Sequence, residues 1–288
     1  MMKFSRRWGV RILFAVLGLT VIFVTFGIFV YVFYKGSDVI SLKFLLEKPS
    51  GLPIGTDGGV FPAIIGSLYH GLLAGLFGSL IGIGAALYLV FFCRSAILKK
   101  IVQVSFYFLA GLPSIIFGLI GYTVLIFRFG LERSLLCASV ATGMMLIPYV
   151  GIRAQKIFQE EGLPYLMESQ SLGISKAYAV RKLILPVCFV NLLSASALAM
   201  AYGMGAVAPM MYTGAVLYAG VPEGLDRPFM SLPYHLYILV INGISVEFAY
   251  GTAFVLLVLI LLIHFAVRGT AFFREGGEWR WRRLRNKR

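Results

Sequence analysis

Acidic side chains are scarce in this chain: 12 Asp and Glu stand against 26 Lys and Arg in 288 residues, and charged residues of both signs make up only 13%. Soluble domains carry about a quarter charged residues, so that class is excluded. All 12 acidic residues fall in polar segments or at the ends of apolar runs. Ion-coupled carriers usually place an acidic residue or a His cluster within the bilayer, and that signal is missing. Cysteine is equally sparse. Cys93, Cys137 and Cys188 are odd in number, lack metal-ligand spacing and lie in or beside apolar runs, which excludes a disulfide framework and favours buried apolar packing. His70, His235 and His264 are scattered, so no metal cluster is expected. No glycine is followed by lysine; the phosphate-cradling loop ending in Gly-Lys-Ser/Thr is therefore absent, and the chain is expected to be no enzyme and to bind no ATP itself.

What is abundant is apolar surface: 59% of the residues are hydrophobic. A hydrocarbon core about 30 Å thick is crossed by roughly 20 apolar helical residues, and runs of that size recur at Arg11 to Tyr34, Ile64 to Phe92, Ile101 to Phe127, Leu135 to Ile152, Leu183 to Tyr218 and Phe248 to Val267. Each must be helical, because lipid leaves open backbone unsatisfied. The reading is an all-α membrane protein of six transmembrane helices. The first run is longer than a secretory h-region of about 7–15 residues and is expected to be a retained helix.

Basic residues set the expected orientation. With the N-terminus inside, Lys3, Arg6, Arg7, Arg11, then Arg94, Lys99, Lys100, then Arg153, Lys156, Lys176, Arg181, Lys182, and then eight from Arg268 to Arg288 face the cytoplasm, which is 20 of the 26. Lys35, Lys43, Lys48, Arg128, Arg133 and Arg227 face outward. This asymmetry follows the positive-inside rule and puts both termini in the cytoplasm. The net charge of +14 thus reads as topogenic and lipid-directed rather than nucleic-acid-binding.

Several segments carry further information. The second run holds Gly66, Gly71, Gly75, Gly78, Gly82 and Gly84, small residues that let helices approach closely in lipid, within the subunit or against a partner. Lys35 to Pro62, with glycines and prolines at 51, 53, 55, 58, 59 and 62, reads as an outside loop with tight turns. From Val221 to Glu247 three prolines accompany an apolar run, Tyr234 to Ile241, too short to cross; it predicts a short interfacial or re-entrant helix. The polar segment from Arg153 to Lys182 is the longest inside connection between apolar runs, and Gly173-Ile174-Ser175 divides two helix-compatible stretches. It predicts a compact helical projection for a soluble partner.

That segment is similar to the EAA loop of ABC importer permeases: Gly173 and Leu185-Pro186 keep the spacing. Gly58-Gly59-Val60-Phe61-Pro62-Ala63-Ile64-Ile65-Gly66-Ser67-Leu68, Gly111-Leu112-Pro113-Ser114-Ile115-Ile116-Phe117-Gly118-Leu119-Ile120-Gly121-Tyr122 and Ser231-Leu232-Pro233-Tyr234-His235-Leu236-Tyr237 resemble the PstA-type permeases of phosphate-specific ABC importers over nearly the whole chain from Phe44 onward. The resemblance implies a type I ABC importer permease fold, with residues 1–43 as the N-terminal end and first span, and 44–288 as the permease domain carrying the coupling loop at about 153–182. It departs from the pattern at Glu168, one residue closer to Gly173, at Ser169-Gln170 for two alanines, at Ile152 with Arg153 next to it for the fourth-span arginine, and at Tyr202 and Ala206 for a charged pair.

The resemblance implies a membrane subunit translocating inorganic phosphate, working with a second permease subunit, two ATPase subunits that bind ATP and Mg, and an extracytoplasmic phosphate-binding protein, in a bacterial cytoplasmic (inner) membrane. Alternatives are a permease for molybdate, tungstate or sulfate, an ion-coupled carrier, or a membrane scaffold without transport. Pro113, Ser114, Arg153, Tyr202 and Gly203 are the candidate substrate-pathway residues, because a desolvated oxyanion needs hydrogen-bond donors and proline frees backbone amides. Glu168, Ser169, Gly173 and Ile174 are the candidate ATPase-coupling residues.

The charge asymmetry makes a direct prediction. Single cysteines introduced at Ser50 and Glu223 should react with a membrane-impermeant thiol reagent in intact cells, and one at Ser175 only after permeabilisation. Labelling of the Ser175 site in intact cells would contradict the assigned orientation.

Overall fold

The computed structural model describes residues 2–285 and, of their side chains, residues 10–267 and 269. Lys3, Arg6, Arg7 and the basic residues from Arg268 onward lie outside the described side chains. The helices in chain order are α1 (Met2–Gly36), α2 (Leu42–Leu46), α3 (Phe61–Leu87), α4 (Ala96–Ala110), α5 (Ser114–Gly121), α6 (Leu135–Ile157), α7 (Leu163–Ser171), α8 (Lys176–Ala179), α9 (Leu185–Met204), α10 (Val207–Thr213), α11 (Leu232–Ile241) and α12 (Val246–Arg285). A two-residue antiparallel hairpin, Pro49–Ser50 with Asp57–Gly58, folds the loop between α2 and α3. There Lys43 Nζ donates to Asp57 Oδ1 at 3.0 Å, and Gly58 N donates to the same oxygen at 2.7 Å. These bonds to the charged form hold the Asp57 carboxyl below its ordinary value.

Among the described residues, five helices are long and apolar enough to cross a membrane, and a sixth crossing arises if a bent pair is taken as one. The six-run reading therefore holds, with three corrections. Ile101 to Phe127 is not one rod: Ala96–Ala110 and Ser114–Arg128 meet at 101°, because Pro113 cannot continue the ladder from Gly111-Leu112. The fourth helix does not end at Ile152. It runs from Leu135 to Ser171, 37 residues, which at 1.5 Å per residue is roughly 55 Å and outreaches a hydrocarbon core of about 30 Å. The fifth ends at Met204 rather than Tyr218, since the chain turns at Gly205 and restarts as α10.

The centre is α3 packed on α6 and α9, and glycine is the reason. A Cβ on Gly78 would stand 2.7 Å from Leu146 Cβ, one on Gly82 2.8 Å from the Ile147 carbonyl oxygen, and one on Gly75 3.0 Å from Met200 Cβ. The glycine row serves packing within the subunit. Near the start of α3, Leu232 N donates to Ser67 Oγ at 2.8 Å, and His70 stacks on Phe229 with centroids 5.4 Å apart, which docks α11 against α3. His235 and all three cysteines are buried. α1 stands apart. Its apolar window has no buried residue, and it meets α12 near its C-terminal end through Tyr31 on Tyr250 and Phe33 on Phe254.

If close backbone approach holds α3 to α6, Gly78→Ala should destabilise by about 1–3 kcal/mol through overpacking. Gly84, whose Cβ would meet nothing within 4 Å, is the control. Thermal unfolding of the detergent-solubilised protein should show a lowered midpoint for Gly78→Ala and an unchanged or raised one for Gly84→Ala.

Candidate translocation cavity and coupling projection

A cavity of ≈ 930 Å³ opens between α4, the bend before α5, α6 and α9. Its lining includes Gln103 and Tyr107 from α4, Leu112 and Ser114 at the bend, Pro148, Tyr149, Ile152, Arg153, Gln155 and Lys156 from α6, Gln159 and Glu160 just beyond it, and Leu198 and Tyr202 from α9. Three predicted residues, Ser114, Arg153 and Tyr202, thus meet in one space. Pro113 is the residue that starts α5, with φ −56 and ψ 137 and no side-chain cap. The first-turn N–H groups of α5 consequently form an uncapped, partly positive helix end beside Ser114. Gly203 is a correction: it is buried, and its Cβ would meet Leu146 Cδ1 at 3.1 Å and Thr142 Cγ2 at 3.4 Å. It lets α9 lie against α6 and does not line the cavity.

Charge in the cavity is simple. Lys156 and Glu160 face each other one helical turn apart at 3.7 Å and offset one another, although exposure keeps that attraction small. Arg153 makes no ion pair among the described residues, so its guanidinium is the uncompensated charge of the lining. The rest are neutral donors: tyrosine hydroxyls, glutamine amides and Ser114. Tyr149 and Tyr202 stack with centroids 5.8 Å apart and 24° between planes. Tyr149 and the glutamines were absent from the candidate residues. The lining residues 145, 149, 152, 156 and 159 follow one another at intervals of three and four along the helix, so helical periodicity held the signal.

Beyond the cavity the same helix becomes the projection. A π-helical segment, Phe158–Gly162, joins α6 to α7, and a second, Val180–Ile184, joins α8 to α9. α7 ends in a left-handed turn: Gly173 has φ +76, its N–H donates to the Gln170 carbonyl at 3.0 Å, and Ile174 N donates to the Ser169 carbonyl at 3.0 Å. Both orphan carbonyls are thereby satisfied, and glycine is needed because a side chain disfavours that conformation. Glu168 is exposed. Ser169 is a correction, being only 3% exposed, with its Oγ donating to the Leu166 carbonyl at 2.8 Å; it caps the turn from inside and offers no surface. Ile174 packs against the core beneath the projection. The outer surface is instead Met167, Leu172 and Tyr178, 62%, 77% and 56% exposed. These exposed apolar side chains are candidates for a contact with a partner.

No protein-family profile matches the chain. A probable phosphate transport system permease protein PstA of Methanocaldococcus jannaschii is 29% identical over 251 residues, covering 84% of this chain and 85% of that protein. A phosphate transport system permease protein PstA 2 of Mycobacterium bovis is 26% identical over 218 residues, covering 74% and 72%. Among solved structures, an inward-facing MetNI methionine ABC transporter superposes with a TM-score of 0.61 at 18% identity, over 72% of this chain and 92% of that one. The chain has the fold of this importer structure and is similar over most of its length to phosphate transport permease proteins. An amino acid ABC transporter crystallised with histidines shares the fold at a TM-score of 0.56 and 19% identity. The helices of this chain superpose on both, although the names of those proteins refer to other substrates.

The left-handed turn generates a prediction. Gly173→Val should destabilise the projection by about 1–2 kcal/mol, whereas Gly173→Asn should cost less, because Asn tolerates positive φ. Protease sensitivity of the 163–184 segment in the purified permease should rise in the order wild type, Asn, Val.

Proposed function

We infer that this chain is the membrane permease subunit of an ABC importer for inorganic phosphate. The observation that carries the reading is the joining of Ser114, Tyr202 and the uncompensated Arg153 in one cavity, on the fold of an importer permease, in a chain whose relatives are phosphate transport permeases. A desolvated oxyanion needs positive charge and many N–H and O–H donors, since each unsatisfied oxygen is costly. Arg153 supplies the charge; Ser114, Tyr107, Tyr149, Tyr202 and the glutamines supply neutral donors. A neutral-rich lining with one cation binds the anion loosely enough to release it, as passage demands.

Energy enters from outside this chain. Separate ATPase subunits bind ATP and Mg and grip the projection at Met167, Leu172 and Tyr178, beside Glu168. A second permease subunit completes the path, and an extracytoplasmic binding protein delivers phosphate. The membrane is the cytoplasmic (inner) one, with the projection and both termini inside. The position of Tyr202 and Ala206 supports an altered distribution of charge relative to the family: Tyr202 lines the cavity, whereas Ala206 lies beyond the end of α9 at the start of α10.

The test is phosphate uptake and basal ATPase activity in vesicles reconstituted with the partner subunits and binding protein. Arg153→Ala should cut phosphate uptake severely with assembly intact. Tyr202→Phe should cost one hydroxyl hydrogen bond, about 0.5–1.5 kcal/mol, or up to roughly tenfold in rate. Normal uptake by Arg153→Ala would reduce Arg153 to a topogenic charge, and transport of a different oxyanion in place of phosphate by wild type would overturn the substrate.

A further inference from the structure

The short helix α2 follows the apolar run of α1 after only five residues, and its depth is fixed by what it packs against. The run of α1 ends at Gly36, where a Cβ would stand 2.8 Å from Gly251 N of α12. Phe44, in the middle of α2, meets the same place: its ring lies 5.5 Å from that of Phe248, and a Cβ on Gly251 would stand 3.1 Å from its Cζ. Phe44 is fully buried among Val60, Ala63, Met230 and Leu232, and its carbonyl accepts from Val60 N at 2.8 Å. α2 therefore stands level with the end of one membrane-crossing helix and the first two turns of another.

The other side chains of α2 are sorted around Phe44. At about 100° per residue, Leu42 and Leu46, two residues before and after it, project on the opposite side, away from the bundle, and they are 76% and 64% exposed. Lys43 and Glu47 occupy the flank between, where Lys43 is paired with Asp57 of the hairpin. So short a helix has little stability of its own; Ser41 Oγ caps it by accepting from Phe44 N at 3.1 Å. Tyrosines stand at the same level, Tyr34 exposed near the end of α1 and Tyr31 on Tyr250, and tyrosine is enriched where hydrocarbon meets water. Lys35 and Lys48, on either side of α2, are exposed and long enough to reach lipid phosphates.

We propose that α2 is an interfacial anchor whose partner is the lipid surface: Leu42 and Leu46 enter the acyl-chain boundary of the leaflet in which α1 ends, while Lys43 and Glu47 stay among headgroups and water. Lipid is the occupant that the geometry favours, because α2 stands at the level where α1, with no buried residue in its apolar window, is already open to acyl chains. Two leucines beside a charged flank offer far less than the about 800 Å² per partner of a stable protein interface. The anchor also bears on α1. A run of 27 residues is roughly 40 Å long and exceeds a hydrocarbon core of about 30 Å, so its length does not fix its depth. α2 does, tied to the protein core by Phe44 and to the leaflet by its leucines. The anchor is independent of what the chain transports.

The experiment is fluorescence quenching of the full-length protein, in the assembly with which it purifies, in lipid nanodiscs, with bimane on a single cysteine introduced as Leu46→Cys or Glu47→Cys. Wild type, whose own cysteines are buried, is carried through the labelling as the blank. Both positions are exposed, so the label displaces no packed side chain. The Leu46 site should be quenched at least about fivefold more by phosphatidylcholine brominated on its acyl chain near the headgroup than by aqueous iodide, and the Glu47 site in the reverse order, as a helix lying in the interface demands. Leu42→Asp beside the Leu46 label should raise its iodide quenching several-fold. Iodide quenching of the Leu46 site as strong as that of the Glu47 site places α2 in water; protection of the Leu46 site from both quenchers places a partner protein on it. Either result, equal lipid quenching of the two sites, or indifference to Leu42→Asp would overturn the proposal. Uptake plays no part in the readout, so a failed transport assignment leaves this result standing.

Discussion

The close approach of α3 to α6 and α9 is the constraint on which the remaining structure depends. Lipid is as apolar as a leucine side chain, so no hydrophobic force draws these helices together, and their cohesion must come from dispersion at short range. Gly75, Gly78 and Gly82 let the backbones reach that range. The consequence extends across α6. Its Gly143, Leu146, Ile147, Val150 and Gly151 meet the glycine row, and at about 100° per residue these cluster on the face opposite Tyr149, Ile152 and Lys156. One stripe of α6 is dry contact; the other lines the cavity of ≈ 930 Å³. A shift of register against α3 would turn Arg153 into packed helix, where an unpaired charge is prohibitively costly.

Residue pattern made the class, the six apolar runs, the short helix after Ser231 and the glycine turn of the projection legible, because each rests on local physics: transfer free energy, length against bilayer thickness, or a φ that only glycine adopts easily. What stayed hidden was continuity. Hydropathy falls at Arg153, so a span was ended there, yet a helix does not stop where the solvent changes if the next residues still favour it; Gln155, Lys156 and Gln159 do. The opposite error occurred after Met204. Ala206 to Met211 are apolar, so the run continued on hydropathy while the backbone turned at Gly205. The site was legible in part for the same reason. Ser114, Arg153 and Tyr202 carry chemistry and drew notice singly, whereas Tyr149 belongs to the site by its position one turn before Arg153 and its stack on Tyr202. Gly203 carried no chemistry of its own, and its partners in space, Leu146 and Thr142, are some sixty residues away in sequence.

Arg153 marks where competing demands on α6 meet. It lies at the edge of the cavity face, late enough along the helix to reach the interface and early enough to stay within reach of Tyr149 and Tyr202. A guanidinium keeps its charge at any working pH. Its free energy is therefore tuned by position alone, by how much water, headgroup or substrate surrounds it. A lysine can shed its charge when desolvated; a guanidinium does not.

The 37-residue run from Leu135 to Ser171 makes cavity and projection parts of one mechanical element. Force applied at Met167 or Leu172 passes through the π-helical segment Phe158–Gly162, which is not a loose hinge: Phe158 is fully buried and packs edge-on against Phe91 at 5.4 Å. A Cβ on Gly162 would stand 2.8 Å from Ile184 Cγ2 and 2.9 Å from Phe91 Cζ. Phe91 belongs to the end of the α3 span and Ile184 to the entry into α9, so the base of the projection is clamped to both helices that hold α6. A close-packed junction transmits displacement instead of absorbing it. Any movement of the projection must then be shared by α3, α6 and α9 together, and the place left to yield is the 101° bend at Gly111-Leu112-Pro113, on the opposite wall of the cavity. Relative motion between that bent pair and the clamped trio would change the width of the cavity itself.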